Sequence, residues 1–137
     1  MPDTTIPTTE FLVECLRTAN LTGIAERYAP GVLVDMNVPH WRFQLQGRLA
    51  AAELAAEEVD RLPNVRATWV RATTTDDALV VEYELQWDGA GGRELSRAVS
   101  IFRLEGDAVV EHTDYCCGNW TPADIARIKA EAPIVRW

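Results

Sequence analysis

The chain has few cysteines, the residues that form the disulfides of small extracellular proteins and many of the zinc sites of metal-binding proteins. Only three of its 137 residues are cysteines, Cys15, Cys116 and Cys117, and no C-x-x-C spacing is present. An odd cysteine count without that spacing argues against a disulfide framework, a cysteine zinc site and dithiol exchange. Cys116 and Cys117 are neighbours in a predicted strand, where successive side chains point to opposite faces, so they are poorly placed to bond each other. We therefore expect free thiols and a cytoplasmic protein.

Long apolar runs and excess positive charge are also missing. The sequence has no run of about 18 apolar residues, the minimum for a membrane-spanning helix. Its first residues, Met-Pro-Asp-Thr-Thr-Ile-Pro, lack the basic and apolar regions of a signal peptide, so we do not expect secretion. Lys and Arg number 13 against 21 Asp and Glu, a net charge of −8. Nucleic acids and anionic membranes would repel that charge, so we expect neither as a partner.

What is present fits one globular domain over residues 1–137. Hydrophobic residues make up 47% of the chain and charged residues 25%, which is an ordinary globular composition. A chain of this length buries roughly two-thirds of its unfolded surface, enough for a core without metals or disulfides. No internal repeat or linker interrupts the sequence, so we expect a single domain.

Hydrophobic periodicity predicts the element order ααββαββββα. Two short helices are predicted before Pro30-Gly31, which is expected to end the second. Strands are predicted over 32–38, 41–46, 65–75, 79–87, 94–105 and 108–116. An amphipathic helix is predicted over 48–62, with an apolar stripe of Leu49, Ala52, Ala55, Val59 and Leu62. A last helix begins after the cap Thr121, and short turns between strands predict a curved antiparallel sheet in an α+β fold.

Two segments resemble a known superfamily. Residues 100–115, SIFRLEGDAVVEHTDY, are similar to the last two strands of SnoaL-like proteins, where a pattern of the form I-F-R-F-x-x-G-x-I-V-E-H-x-D recurs. Residues 35–39, DMNVP, are similar to the Asn-x-Pro region of limonene epoxide hydrolase. The chain thus resembles the nuclear transport factor 2-like superfamily, which includes SnoaL-like polyketide cyclases and ketosteroid isomerase. The resemblance implies a cone-shaped α+β barrel whose curved sheet wraps around the helices.

Asp114 is the leading candidate for chemistry. Alternation along its strand places His112, Asp114 and Cys116 on one face with Val110. A carboxyl among apolar neighbours has a raised pKa and suits general acid or base catalysis. In the resembled family, the acid at this position lies inside the cone and handles a proton or activates water. The alternative is a structural acid that binds backbone amides or an arginine.

Asn37 and Asp35 are the predicted polar partners of Asp114. By resemblance, Asn37 matches the asparagine that holds the water in limonene epoxide hydrolase, and Asp35 stands where that enzyme has a tyrosine. We expect the three side chains to cluster around a water or a ligand hydroxyl. That enzyme also needs an Arg-x-Asp pair, whereas this chain has Glu82-Tyr83-Glu84, so epoxide opening by the same residues is not expected. Alternation places Glu82 and Glu84 on a solvated or dimer-facing surface.

His40, Trp41 and His112 are the predicted substrate-binding residues. His40-Trp41 follows the first strand at the expected cone mouth, where Trp41 offers a flat apolar wall and His40 a titratable group. The alternative is a core tryptophan beside a histidine in a turn. The two histidines and Asp114 would also make a non-haem iron set. His40, however, comes from a different segment than His112 and Asp114, and no cysteine cluster is available to complete a site, so we expect no metal and no cofactor.

The resemblance, together with these residues, implies a small-molecule enzyme of the SnoaL-like type. Its interior carboxylate would perform cofactor-free isomerisation, cyclisation or water addition on an apolar cyclic substrate, as an isomerase, cyclase, hydrolase or lyase. The alternative is a non-catalytic ligand-binding or interaction domain of the same fold. An open apolar cavity around Asp114 favours the enzyme, and a filled cone favours the alternative. The resemblance also implies a homodimer formed through the outer face of the sheet.

Overall fold

Three α-helices, one 3-10 helix and six strands make up the computed structural model, which describes residues 6–137. Residues 1–5 lie outside the described part. The helices are α1 (Thr8–Arg17), a 3-10 helix (Leu21–Arg27), α2 (Arg48–Asp60) and α3 (Pro122–Glu131). The strands are β1 (Tyr28–Val38), β2 (Trp41–Gln46), β3 (Arg66–Thr74), β4 (Ala78–Gly89), β5 (Gly92–Glu105) and β6 (Ala108–Cys116). The predicted α+β class and element order are confirmed.

The six strands form one curved sheet in the order β2-β1-β6-β5-β4-β3. Short turns join β3 to β4, β4 to β5 and β5 to β6, and these pairs are antiparallel as predicted. The pair β1 and β6 is parallel, so the predicted antiparallel sheet contains one parallel pair. Because these two strands are far apart in the sequence, no tight turn fixes their relative direction. The sheet is open, with β2 and β3 as its edges in the described part of the chain.

The second predicted helix is shorter than expected. It is a single 3-10 segment that ends at Arg27, and β1 begins at the next residue. Pro30 and Gly31, predicted to end the helix, lie inside β1. The register of β1 against β6 shifts between Tyr28 and Leu33, and such irregular stretches tolerate proline because no ladder hydrogen bond is lost.

The core lies between the inner face of the sheet and the N-terminal helices. Leu12 and Leu16 of α1 are fully buried, as are Val81 of β4 and Phe102 of β5. Burying a side chain of this size contributes roughly 1.5–3 kcal/mol. This packing anchors α1 over one part of the sheet.

Helix α2 is less buried than its predicted stripe implies. Leu49 is 80% exposed, whereas Ala51 is 5% exposed. Leu54 and Ala55, on the side turned toward the sheet, are only half-buried because they border a cavity. The prediction for Leu49 was therefore wrong, and α2 covers an internal space instead of completing a packed core.

Candidate functional site

A cavity of about 550 Å³ lies between the inner face of the sheet and the helices α1, α2 and the 3-10 helix. Most of its wall is apolar or aromatic, with Leu16, Ile24, Met36, Phe43, Leu85 and Trp87 among its lining residues. A space of this size and character is typical of small-molecule sites.

Asp114 lies in the wall of this cavity, on β6. His112, Asp114 and Cys116 all line the cavity, as the strand alternation predicted. Asp114 is 4% exposed, and its Oδ2 accepts hydrogen bonds from the hydroxyls of Tyr83 at 2.6 Å and Ser100 at 2.7 Å. These partners are neutral side chains, so the carboxyl binds neither backbone amides nor an arginine through the hydrogen bonds found in the described residues.

The surroundings of Asp114 favour its neutral form. Burial raises the pKa of its carboxyl above the ordinary value of 3.8, and the negative charge of Glu58 on α2 raises it further. The hydrogen bonds from Ser100 and Tyr83 act in the opposite direction and lower the pKa. Burial is the largest of these effects, because a carboxylate loses its hydration in an apolar wall.

His112 extends the hydrogen-bond network away from Asp114. Its Nδ1 is 2.6 Å from the Tyr28 hydroxyl, and its Nε2 is 2.9 Å from Oγ of Ser100. The imidazole also stacks on Phe102, with ring centroids 4.1 Å apart. Burial lowers the pKa of His112 from 6.5 to about 3, so the ring is neutral at physiological pH.

Three members of this network, Tyr28, Tyr83 and Ser100, were not singled out in the sequence. Ser100 occupies the buried face of β5 between Ala98 and Phe102, where an apolar residue would be the ordinary choice. Tyr83 likewise lies on the apolar face of β4. The sequence signal that could have identified Ser100 and Tyr83 was therefore a polar group on a strand face that is otherwise apolar. Their partner could not be found from the sequence because it depends on the register that places Ser100 opposite Asp114.

The predicted cluster of Asp35, Asn37 and Asp114 does not form. Neither Asp35 nor Asn37 lines the cavity, because Val34 and Met36, the intervening residues of β1, do. Successive side chains of a strand point to opposite faces, so the two polar residues lie on the outer face. Asn37 Nδ2 donates to Asp35 Oδ1 and to the main-chain oxygen of Asp114, each at 3.3 Å, and neither bond reaches the Asp114 carboxyl.

Asp35 is instead part of an ion pair. Arg42 on β2 donates to its two carboxyl oxygens, from Nε at 2.9 Å and from Nη2 at 2.6 Å. The hydrogen bond from Arg42 lowers the pKa of Asp35, which is the opposite of the effect on Asp114. A carboxylate so paired is held in its charged form and is a poor proton acceptor.

His40 lies in the turn between β1 and β2, and Trp41 is the first residue of β2. His40 is exposed and adopts a positive φ of 62°, and Trp41 is 69% exposed. Neither residue lines the cavity, whereas His112 does. Tyr28 and Ser100 engage both ring nitrogens of His112. Within residues 6–137, no group of three or more His, Cys, Asp or Glu side chains is arranged to hold a metal ion.

Another part of the cavity wall carries two further polar pairs. On α2 and just after it, Glu58 and Arg61 form an ion pair. Oγ of Ser96 lies 3.0 Å from Sγ of Cys116, which also accepts a hydrogen bond from the Gly118 amide at 3.3 Å. The half-buried Cys116 side chain is part of the cavity wall. No helix in the described residues is long and apolar enough to cross a membrane.

Comparisons with known proteins agree with this fold. Among solved structures, a phenazine biosynthesis-related protein from Pseudomonas aeruginosa matches with a TM-score of 0.66 and 13% identity, over 95% of this chain and 88% of that one. An NTF2-like protein from Cytophaga hutchinsonii matches with a TM-score of 0.62 and 15% identity, over 80% of this chain and 97% of that one. At such identities the likeness shows the fold alone.

A candidate polyketide cyclase from Xanthomonas campestris pv. campestris has the same fold, with a TM-score of 0.62 and 16% identity over 79% of this chain and 86% of its own. No curated protein matches the sequence. The family model of the SnoaL-like domain matches residues 9–112, which is most of the chain. The chain therefore belongs to the SnoaL-like domain family.

Proposed function

We propose that this SnoaL-like protein is an enzyme that uses Asp114 as a general acid or base on a small apolar substrate. The observation that supports this most directly is a nearly fully buried carboxyl in an apolar cavity, held by two neutral hydroxyls. An acid with a raised pKa exchanges protons at neutral pH more readily than an exposed, fully ionised one. Isomerisation, cyclisation and water addition are the reactions that such a group supports without a cofactor.

The cavity limits the substrate to a compact molecule. Its apolar and aromatic wall favours a cyclic hydrocarbon body, and Trp87 and Phe43 provide flat surfaces against which a ring packs. Few charged groups border the space, and two of opposite sign, Glu58 and Arg61, form an ion pair with each other. A neutral, largely apolar ring compound fits this wall better than a highly charged one.

A two-stage experiment tests the proposal. A thermal-shift screen over terpenoid, steroid and polyketide-like compounds identifies ligands, because a ligand that binds only the folded state raises the Tm. Each ligand is then incubated with the wild type, with Asp114→Asn, and with the matched control Asp35→Asn on the outer face. We expect conversion by the wild type and the control and none by Asp114→Asn, which should still bind.

The alternative function is passive ligand binding, and the same experiment separates it. The polar side chains of Tyr28, Ser100 and His112 already form hydrogen bonds with one another. They therefore need no ligand to complete these bonds. A passive binding domain would bind the ligand unchanged, and Asp114→Asn would alter affinity only. Unaltered ligand after prolonged incubation with the wild type would favour this alternative.

We also propose that the chain, as a single domain, forms a cytoplasmic homodimer through the outer face of its sheet. Trp69 and Tyr115 lie on that face and are 38% and 53% exposed. The guanidinium groups of Arg71 and Arg97 lie 5.4 Å and 5.3 Å from the centre of the Trp69 ring. A monomer in sedimentation at micromolar concentration would contradict the dimer.

The proposal of a cytoplasmic location has a separate support. The cysteines are free thiols, which suits a reducing compartment.

A further inference from the structure

A chain of hydrogen bonds links five side chains along the cavity wall. It runs from the Tyr28 hydroxyl to Nδ1 of His112, from Nε2 to Ser100, and from Ser100 to Oδ2 of Asp114, with distances of 2.6, 2.9 and 2.7 Å. The Tyr83 hydroxyl reaches the same Oδ2 at 2.6 Å. Both donors therefore converge on one carboxyl oxygen, and no hydrogen bond from the described residues reaches Oδ1.

The number of protons fixes the direction of this chain. A serine hydroxyl has one proton, and when Asp114 is ionised the hydroxyl of Ser100 donates that proton to Oδ2. Nε2 of His112 must then donate to Ser100, because the two atoms lie at hydrogen-bond distance and one must supply a proton. In a neutral imidazole the other nitrogen, Nδ1, is then an acceptor, and the Tyr28 hydroxyl donates to it.

We propose that His112 is a positioning residue: its neutral ring, protonated at Nε2, holds the Ser100 hydroxyl on Oδ2 of Asp114, so that the substrate exchanges its proton with Oδ1. This inference rests on the proposed role of Asp114 as the acid or base. Protonation of Oδ1 leaves every hydrogen bond of the network in place, whereas a proton on Oδ2 would compete with the hydroxyl protons of Tyr83 and Ser100, so that at least one of these two bonds is lost or reversed. The network thus selects the reactive oxygen.

The same groups are unsuited to passing a proton onward. Burial lowers the pKa of His112 to about 3 and raises the pKa of Tyr28 well above its ordinary value of 10. Neither an imidazolium nor a phenolate is therefore accessible near neutral pH. The other titratable groups that act on this part of the wall are Glu58 on α2, Tyr83 on β4 and Cys116 on β6. None of these three groups is a cation, and the guanidinium of Arg61, which also lines the cavity, is paired with Glu58.

The first test is the tautomer of His112, measured by nitrogen-15 NMR on the wild-type protein. The chain has two histidines, His40 and His112. The variant His40→Gln therefore assigns the spectrum without touching the network. We expect a protonated Nε2 and an unprotonated Nδ1 in His112, unchanged between about pH 5 and 8. A protonated Nδ1, or an imidazolium in that range, would overturn the proposal.

The second test is the pKa of Asp114, measured by carbon-13 NMR of its carboxyl in variants. Ser100→Ala removes a donor to the carboxylate and should raise this pKa by about one to two units. His112→Phe keeps a ring on Phe102 but removes the donor to Ser100, and should raise the pKa by about half a unit. His112→Gln supplies an amide donor and should return it toward the wild-type value.

The decisive comparison is between the effect of His112→Phe in the wild type and its effect in the Ser100→Ala variant. If His112 acts through Ser100, His112→Phe causes no further change of the Asp114 pKa when Ser100 is already alanine. An equal change in both backgrounds would overturn the positioning role. Should His112→Phe fail to fold, the tautomer of His112 in the wild type still tests the positioning role, because a protonated Nδ1 would contradict it. An Asp114 pKa near or below 3.8 would instead contradict the proposed function, whatever the tautomer of His112.

Discussion

Ser100 and Asp114 lie directly opposite each other on β5 and β6, and the serine hydroxyl donates to the carboxyl at 2.7 Å. This bond and the one from Tyr83 let the carboxyl ionise inside an apolar wall without a cation to fix it in that state. An arginine in the same place would hold the acid permanently charged, as Arg42 does for Asp35. Neutral donors leave both protonation states accessible, which acid–base chemistry requires.

The first prediction concerns stability. Asp114→Asn should leave the Tm unchanged or raise it by a few degrees, because the amide oxygen accepts from Tyr83 and Ser100 while the buried charge is lost. The matched change Asp35→Asn should lower the Tm, because it breaks the ion pair with Arg42. Differential scanning calorimetry of both variants measures this. A marked fall in the Tm of Asp114→Asn would identify Asp114 as a structural acid.

The second prediction concerns pH. Because folding raises the pKa of Asp114, the wild type loses stability as pH rises from about 3.8 through the folded-state pKa. His112 has the opposite dependence, since its lowered pKa costs stability as pH falls below 6.5. Asp114→Asn keeps His112, so the difference between variant and wild type isolates Asp114. We expect the Tm advantage of the variant to grow from pH 4 to pH 8, and a shrinking advantage would contradict the pKa direction.

The third prediction concerns the cavity. Ala55 on α2 lines it, whereas the neighbouring Ala56 is exposed and does not. Ala55→Phe should fill part of the space and weaken binding of the neutral fluorophore 1-aminoanthracene several-fold, while Ala56→Phe should leave binding unchanged. Fluorescence titration measures both. Equal affinities in the two variants would show that the fluorophore binds elsewhere.

The fourth prediction uses the cysteines as reporters of access. Cys117 is exposed, Cys116 is half-buried in the cavity wall, and Cys15 is buried with its pKa raised by burial to about 11. Alkylation by iodoacetamide should therefore be fastest at Cys117, slower at Cys116 and slowest at Cys15. Saturating 1-aminoanthracene should slow the reaction of Cys116 alone, as peptide mass spectrometry can measure. Protection of Cys117 to the same degree would contradict the assignment of Cys116 to the cavity.

The fold could be predicted from the sequence because each element has a strong local pattern. The period of two across β6 placed His112, Asp114 and Cys116 on one face correctly, and Thr121 with Asp124 forms the capping box that begins α3. The error at Pro30 arose because a helix end and a bulged strand use the same residues.

The candidate site was only partly predictable. Asp114 could be found from its own strand, but its donors come from β4 and β5 and depend on register. Asp35 and Asn37 were grouped with it by resemblance to a short motif, whereas the alternation of β1 places Val34 and Met36 in the cavity instead. Which face of β1 turns inward depends on its packing against α2, which the strand pattern alone does not specify.

The most direct test of this account is the pKa of Asp114 in the wild-type protein, read from the pH dependence of its carboxyl carbon-13 signal, with Asp35 as a reference in the same spectrum. We expect Asp114 to titrate above the ordinary value of 3.8 and Asp35 below it. The signal of Asp114 should be absent in Asp114→Asn, which assigns it. An Asp114 that titrates at or below the ordinary value would contradict an acid–base role for this carboxyl.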